Sequence, residues 1–248
     1  MLGLLLVTGG SRGIGAAVAL GAAKCGFEVC LTYRADEDSA NKVAESISEA
    51  GGSAFAIQAD VDIEADALKV FAEIDARDTR LTALVNNAGI VDVPSLLKDM
   101  SVDRIERMMR TNFIGPMIYS REAVKRMSTV TGGKGGSIVN LSSVAAKLGG
   151  ANQYIDYAAS KGAIDTLTVG LASEVATCGI RVNAVRPGII DTDIHASGGQ
   201  PDRAAQLRGI IPMKREGTAQ EIADAVLYLV SNEASYVTGA ILDVSGGR

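Results

Sequence analysis

Short apolar runs alternate with longer amphipathic stretches from one end of this chain to the other, and that pattern constrains the fold more than any other feature. The runs Leu2–Val7, Glu28–Tyr33, Ala54–Gln58, Leu81–Asn86, Ser137–Leu141, Ile180–Val185 and Ala240–Val244 have strand length. Within them LLLV, VCLTY, LTALV, SIVNL and RVNAV are almost continuous in apolar or β-branched residues. Strands covered by helices on both faces have that composition. Between them Ile14–Cys25, Glu37–Ala50, Ala65–Arg77, Val102–Met127, Ile155–Thr177 and Ala219–Ser231 carry helical spacing, with Gly115-Pro116 interrupting the Val102–Met127 stretch. The alternation predicts an α/β fold: a doubly wound parallel sheet of about seven strands with helices on both faces.

The bulk numbers fit one domain over 1–248. Hydrophobic residues make up 47% and charged residues 21%, enough apolar matter for a sizeable core. Linkers, repeats and low-complexity tracts are not evident, and Gly132–Gly136 reads as a helix-to-strand loop. The net charge of −5 and the lack of a Lys/Arg run argue against a nucleic-acid partner. Met1–Val7 lacks a basic flank and runs into a glycine-rich turn, so it reads as a buried strand rather than a leader. No apolar run approaches ~18 residues, and no membrane span is expected. Cys25, Cys30 and Cys178 are odd in number and show no C-x-x-C spacing. They are expected to be reduced, small hydrophobes in a cytoplasmic protein. The polar, glycine-bearing segment 191–212 has the character of a substrate loop or lid. It contains His195, the only histidine, as a substrate contact or a surface residue.

Two clusters carry chemistry. Thr8-Gly9-Gly10-Ser11-Arg12-Gly13-Ile14-Gly15 joins the first strand to a helix. Glycines there permit a tight turn and close approach of a pyrophosphate to the free N–H groups of a helix N-terminus. Its spacing, G-x-x-x-G-x-G at Gly9, Gly13 and Gly15, departs from the G-x-G-x-x-G fingerprint. The second cluster is Tyr157-Ala158-Ala159-Ser160-Lys161. Residues four apart share a helix face, so an ammonium sits one turn from a phenol. A nearby cation is expected to lower the phenol's pKa toward the working range of a general acid/base.

The turn resembles the T-G-x-x-x-G-x-G motif of the short-chain dehydrogenase/reductase family, and the resemblance extends from Leu4 to Gly247, with six motifs in order. It implies a catalytic set of Asn112, Ser143, Tyr157 and Lys161. Ser143 would grip the substrate oxygen, Lys161 would hold ribose hydroxyls, and Asn112 would keep a proton-relay water. Ser142 would only cap or pack. The resemblance also implies a dinucleotide held by Gly9, Ser11, Arg12, Gly13, Ile14 and Gly15, with Asp60 and Val61 at the adenine. Asn87, Ala88 and Gly89 of the N-N-A-G motif would lie at the ribose, while Asn86 stabilises the sheet. Pro187, Gly188, Ile190 and Thr192 would lie at the nicotinamide carboxamide. Where the second strand meets the ribose, the chain has Tyr33-Arg34 and no carboxylate until Asp36. Together with Arg12, this favours NADP(H), while Asp36 leaves NAD(H) use open.

The expected activity is hydride transfer between NADP(H) and a carbonyl or alcohol, as an NADPH-dependent ketone or aldehyde reductase. A sugar or alcohol dehydrogenase working in the oxidising direction is the alternative. A non-catalytic NADP sensor is a further one, though it would not need both Tyr157 and Lys161. The family implies a homotetramer or homodimer, with Ala158, Ala159, Ala163 and Leu167 serving either interface or core. Ser143 and Tyr157 are separated by one residue more than is usual in the family, which the loop Leu148–Tyr154 is expected to absorb, with Gln153 and Tyr154 as candidate substrate contacts. Arg121, Lys125, Arg126 and Lys134 are a candidate basic patch for an acyl carrier, or simply solvated. No metal site is expected.

Overall fold

The computed structural model describes residues 2–192, 198–200 and 202–248, so His195 lies outside the described residues. Seven strands form one parallel sheet: β1 (Leu4–Val7), β2 (Glu28–Tyr33), β3 (Ser53–Gln58), β4 (Leu81–Asn86), β5 (Gly136–Leu141), β6 (Ile180–Pro187) and β7 (Ile241–Val244). Their order is β3-β2-β1-β4-β5-β6-β7. The chain winds outward from β1 in one direction and, after β3, crosses back to β4 on its other side. Ligands in such sheets bind where that reversal opens a crevice at the carboxyl ends of the strands.

Alternate side chains of each strand feed two separate cores. Leu5, Val7, Val29, Leu31, Val85 and Val185 face α1 (Gly13–Lys24), α2 (Glu37–Glu49) and α9 (Ala219–Val230). Leu4, Leu6, Cys30, Leu84, Ile138 and Val182 face the other side, against α3 (Glu64–Asp75), α5 (Gly115–Met127) and α7 (Ile155–Val175). This two-sided burial is why the strands read as apolar runs rather than alternating patterns. Local chemistry fixes the helix starts. The Asp36 carboxylate accepts from Ser39 N at 3.0 Å to cap α2, and Thr218 and Glu221 form a capping box on α9.

The stretch expected to break at Gly115-Pro116 instead stays helical. It runs through α4 (Val102–Met109), one wide turn at Arg110–Ile114, and α5. In the wide turn Gly115 N–H donates to Arg110 O, five residues back. Pro116 has no N–H to offer the Asn112 carbonyl four residues before it, so widening the turn relieves the clash that a proline imposes on a regular helix. The linker from β5 to α7 contains a short helix, α6 (Ala145–Leu148), too brief to show any periodicity, and α8 (Arg203–Gln206) lies in the segment expected to be a substrate loop. Among the described residues no helix is long and apolar enough to cross a membrane. Cys25, Cys30 and Cys178 are all free, with Cys30 buried, Cys178 half-buried and Cys25 exposed.

Candidate active site

The glycine turn follows β1 at the reversal point and is pinned from β4. Gly9 and Gly13 have φ of +66° and +54°, a region L side chains rarely adopt. A Cβ on Gly15 would fall on the Gly9 carbonyl oxygen, so α1 starts tight against the turn. Asn87 Nδ2 donates to the carbonyls of Thr8 and Gly9, both at 2.9 Å, and the Thr8 hydroxyl accepts from Asn87 N and Ala88 N, both at 3.0 Å. Sequence reasoning missed that part for Thr8. Asn86 does a sheet task. Its Nδ2 donates to Asn140 Oδ1 at 2.8 Å and Ser120 Oγ at 3.0 Å, and Asn140 Nδ2 donates to Thr168 Oγ1 at 2.9 Å.

A groove of about 330 Å³ opens over this turn, lined by Gly9, Ser11, Arg12, Gly13, Ile14, Tyr33, Arg34, Asp36, Asp60, Val61, Asn87, Ala88, Gly89 and Thr192. Thus every sequence-derived dinucleotide residue near the adenosine end lies in it except Gly15, which packs behind. Arg12 and Arg34 are exposed at the groove, and among the described residues neither side chain has a hydrogen-bond or ion-pair partner. Asp36 holds its carboxyl below the usual range first through its cap to Ser39 and secondarily through the charge of Arg12. Burial and the neighbouring Asp62 push the Asp60 carboxyl up. A glycine-built cradle at a helix N-terminus fits the pyrophosphate of a dinucleotide, and two guanidinium groups unpaired among the described residues flank it.

The groove is continuous with a second cavity of about 560 Å³. Ile14, Asn87, Gly89 and Thr192 line both, and the second also holds Ser143, Tyr154, Tyr157, Lys161, Pro187, Gly188 and Ile190. A Cβ on Gly188 would stand 2.7 Å from Ser245 Cα, so the strand end is held close against the C-terminal segment.

The floor of this cavity comes from α7, the end of β5 and the wide turn. Ser143 and Tyr157 both line this cavity, Ser143 favours the ionised form of the phenol, and the Lys161 ammonium lies 5.7 Å from the Tyr157 ring centroid. Lys161 Nζ donates to Leu141 O at 2.7 Å, while Ser142 Oγ donates to Lys161 O at 3.2 Å, so α7 is stitched to β5 in both directions. Asn112 is fully buried. Its Oδ1 accepts from Ile90 N at 2.8 Å, and its Nδ2 donates to Ile90 O at 3.0 Å and to Ser160 Oγ at 3.2 Å. Its amide is therefore spent on holding the segment after β4 against α7.

One expectation is corrected here. The sequence spacing predicts that Lys161 acidifies Tyr157. Instead burial pushes the phenol up, and Ser143 is what works in the opposite direction. Burial also pushes Lys161 down to about 8, with Asp165 opposing. Desolvation penalises both charged forms. At neutral pH the phenol is a neutral proton donor.

Between Ser143 and Tyr157 the loop turns through Gly149, Gly150 and Asn152, all at positive φ. Gln153 and Tyr154 face the second cavity, and both are engaged by the 191–212 segment. Tyr154 Oη donates to Gln200 Oε1 at 2.9 Å, and Arg203 Nη2 donates to Gln153 Oε1 at 2.7 Å. Two ionic clusters escaped sequence reasoning. Arg104 pairs with Asp156, next to Tyr157, and Arg186 joins Asp165 to Asp243, which also meets Lys147. An acidic residue in the first turn of α7 is visible in sequence, but nothing marks a partner 52 residues away. Arg121, Lys125 and Arg126 do not form a free basic patch, since each pairs with Glu122 and the two arginines also reach Glu64 and Asp75. Among the described residues no cluster could hold a metal ion.

Comparison with known proteins agrees with this geometry. Residues 9–248 match a family model described as enoyl-(acyl carrier protein) reductase. The chain is 51% identical over 247 residues to an uncharacterised oxidoreductase, YgfF, of Escherichia coli (strain K12), covering 100% of both chains. It is 39% identical to glucose 1-dehydrogenase of Gluconobacter oxydans, over 98% of this chain and 90% of that one. Among solved structures, a double mutant of a Serratia marcescens short-chain dehydrogenase/reductase superposes with a TM-score of 0.90 at 34% identity, over 99% of this chain and 97% of that one. The chain is an oxidoreductase of the short-chain dehydrogenase/reductase family.

Proposed function

We propose that the protein is an NADPH-dependent reductase of ketones or aldehydes, with Tyr157 as the proton donor. The observation that carries this reading is the pair of adjoining cavities with two guanidinium groups unpaired among the described residues at one end and a neutral, half-buried phenol at the other. When bound, the nicotinamide supplies the hydride. The chain's own residues do the rest. The N–H groups at Gly13–Gly15 hold the pyrophosphate, Arg12 and Arg34 take the 2′-phosphate, and Asp60 and Val61 hold the adenine. Asn87 and Lys161 hold ribose, and Ile190 and Thr192 hold the carboxamide beside Pro187 and Gly188. Tyr157 and Ser143 donate hydrogen bonds to the carbonyl oxygen, and the Tyr157 proton passes to it as the alcohol forms. The Asn112 main chain holds a water through which Lys161 restores that proton.

The test is NADPH oxidation across a panel of carbonyl compounds, with NADH as the control. In an Arg12→Ala/Arg34→Ala double variant, KM for NADPH is expected to rise about 10-fold or more, with KM for NADH little changed, because charge-assisted hydrogen bonds to one phosphate are lost. An equal effect on both cofactors would reject the phosphate assignment. A pH profile tests the proton path. Lys161 is charged below about 8 and neutral above it. Reduction should therefore fall as pH rises through that value, while alcohol oxidation, which needs the phenol deprotonated, should rise. A reduction rate flat to pH 10 would contradict the relay.

A reading in the oxidising direction is favoured by the glucose 1-dehydrogenase relative. The raised phenol argues for reduction at neutral pH. The reading includes cytoplasmic location, consistent with free cysteines, and assembly as a homotetramer through α7. There Val169 is exposed, and a Cβ on Gly162 or Gly170 would meet nothing.

A further inference from the structure

The second cavity is lined by two arginines that no described carboxylate side chain pairs with. Of the six arginines that are not exposed, Arg104, Arg126 and Arg186 meet carboxylates, and Arg181 binds carbonyls at the end of α9. The remaining two, Arg203 on α8 and Arg248, both line the cavity that holds Tyr157 and Ser143. Among the described residues Arg203 is held by neutral groups alone. It donates to Gln200 Oε1 at 2.6 Å and Gln153 Oε1 at 2.7 Å, and its guanidinium lies 4.9 Å from the Tyr154 ring centroid. The Arg248 side chain has no hydrogen-bond or ion-pair partner among the described residues. Burial, and secondarily the charge of Arg203, push its guanidinium down. Two like charges in a half-buried cavity are unfavourable unless an anion completes the site.

We propose that this cavity takes a carbonyl substrate carrying an oxyanionic group, a carboxylate or a phosphate, which Arg248 and Arg203 hold while the carbonyl faces Tyr157 and Ser143. The inference rests on the carbonyl chemistry proposed above and adds the substrate class to it. Different elements read the two ends of the substrate: α7 and the end of β5 take the carbonyl, and α8 with the C-terminal segment takes the anion. A cavity of about 560 Å³ has room for both groups and a carbon frame between them. The anchor for Arg203 is rigid, because Gln153, Gln200 and Tyr154 fix its fork before anything binds, and a planar fork suits a carboxylate or phosphate.

The test compares kcat/KM for pyruvate, benzoylformate and 4-oxo-4-phenylbutanoate, each against its methyl ester, and for dihydroxyacetone phosphate against dihydroxyacetone. At least one acid or the phosphate is expected to exceed its neutral counterpart about 10-fold or more, and which arm responds separates carboxylate from phosphate. Arg248→Gln should reduce that charged-to-neutral ratio about 10-fold, and Arg248→Lys should recover part of it. Because the Arg248 side chain bonds to nothing among the described residues, its replacement leaves no described group unpaired. Equal use of charged and neutral partners, or a ratio insensitive to Arg248→Gln, would overturn the proposal. Calorimetric titration of 4-phenylbutanoate and of inorganic phosphate into the NADP⁺-loaded protein provides a readout without turnover. Binding lost in Arg248→Gln while no carbonyl is reduced would keep the anion site and reject the reductase reading. No binding and no charge preference would reject the anion site.

Discussion

Tyr157→Phe is expected to lower kcat for carbonyl reduction by about 10²–10⁴-fold, the range a positioned general acid contributes. The substitution removes one oxygen and keeps the ring, so packing on α7 and the approach of Lys161 to the ring face persist. NADPH binding, followed by nucleotide fluorescence, should stay near the wild-type value, since the phosphates and adenine are held in the other groove. Because Ser143 and Tyr157 are proposed to act on the same carbonyl oxygen, Ser143→Ala on top of Tyr157→Phe should add less than it does alone. A Tyr157→Phe enzyme that still turns over at the wild-type rate would remove the phenol from the mechanism.

The second large effect concerns stability. The side chains of Arg104 and Asp156 are 9% and 2% exposed, and Arg104 Nε donates to Asp156 Oδ2 at 2.8 Å. Arg104 also donates to Val93 O at 2.7 Å, and Asp156 Oδ1 accepts from Tyr157 N at 2.9 Å. One pair thus joins α4, the loop after β4 and the first turn of α7. Asp156→Ala leaves a guanidinium buried without its counter-charge, which typically costs about 3–5 kcal/mol. Urea unfolding should show a lower midpoint with little change in slope. A double Arg104→Met/Asp156→Leu replacement should recover much of the loss, since a buried pair exchanged for apolar volume is often near neutral. Asp156→Ala should also lower kcat more than it raises the KM for NADPH, because the pair holds the turn that carries Tyr157. An Asp156→Ala protein as stable as wild type would mean that water already reaches the pair.

Most of the scaffold was legible because its strands are buried on both faces. Glu28–Tyr33 and Leu81–Asn86 match the observed β2 and β4 end to end, since a continuous apolar run bounded by polar turns leaves little room for a shifted boundary. The wide turn at Arg110–Ile114 was not legible, because such a turn shares helical residue preferences; the only local sign is Pro116 standing four residues after Asn112. The gathering of Ser143, Tyr157 and Lys161 follows from helix spacing and the end of β5. Their proton affinities do not follow, since spacing reports which groups are near each other and not how far each is removed from water. Thus the cation expected to acidify Tyr157 is itself pushed down to about 8. Long-range partners were hidden for the same reason. Arg203, Gln153, Gln200 and Tyr154 meet only through the packing of the 191–212 segment against the start of α7.

A crystal structure of the NADP⁺ complex tests the central claim most directly. The account predicts the dinucleotide lying along the joined groove and cavity, its 2′-phosphate between Arg12 and Arg34. It also predicts that Lys161 leaves the Leu141 carbonyl for the ribose, with the Tyr157 hydroxyl pointing over the nicotinamide. A dinucleotide bound elsewhere, or a Tyr157 hydroxyl turned away from the nicotinamide, would contradict it.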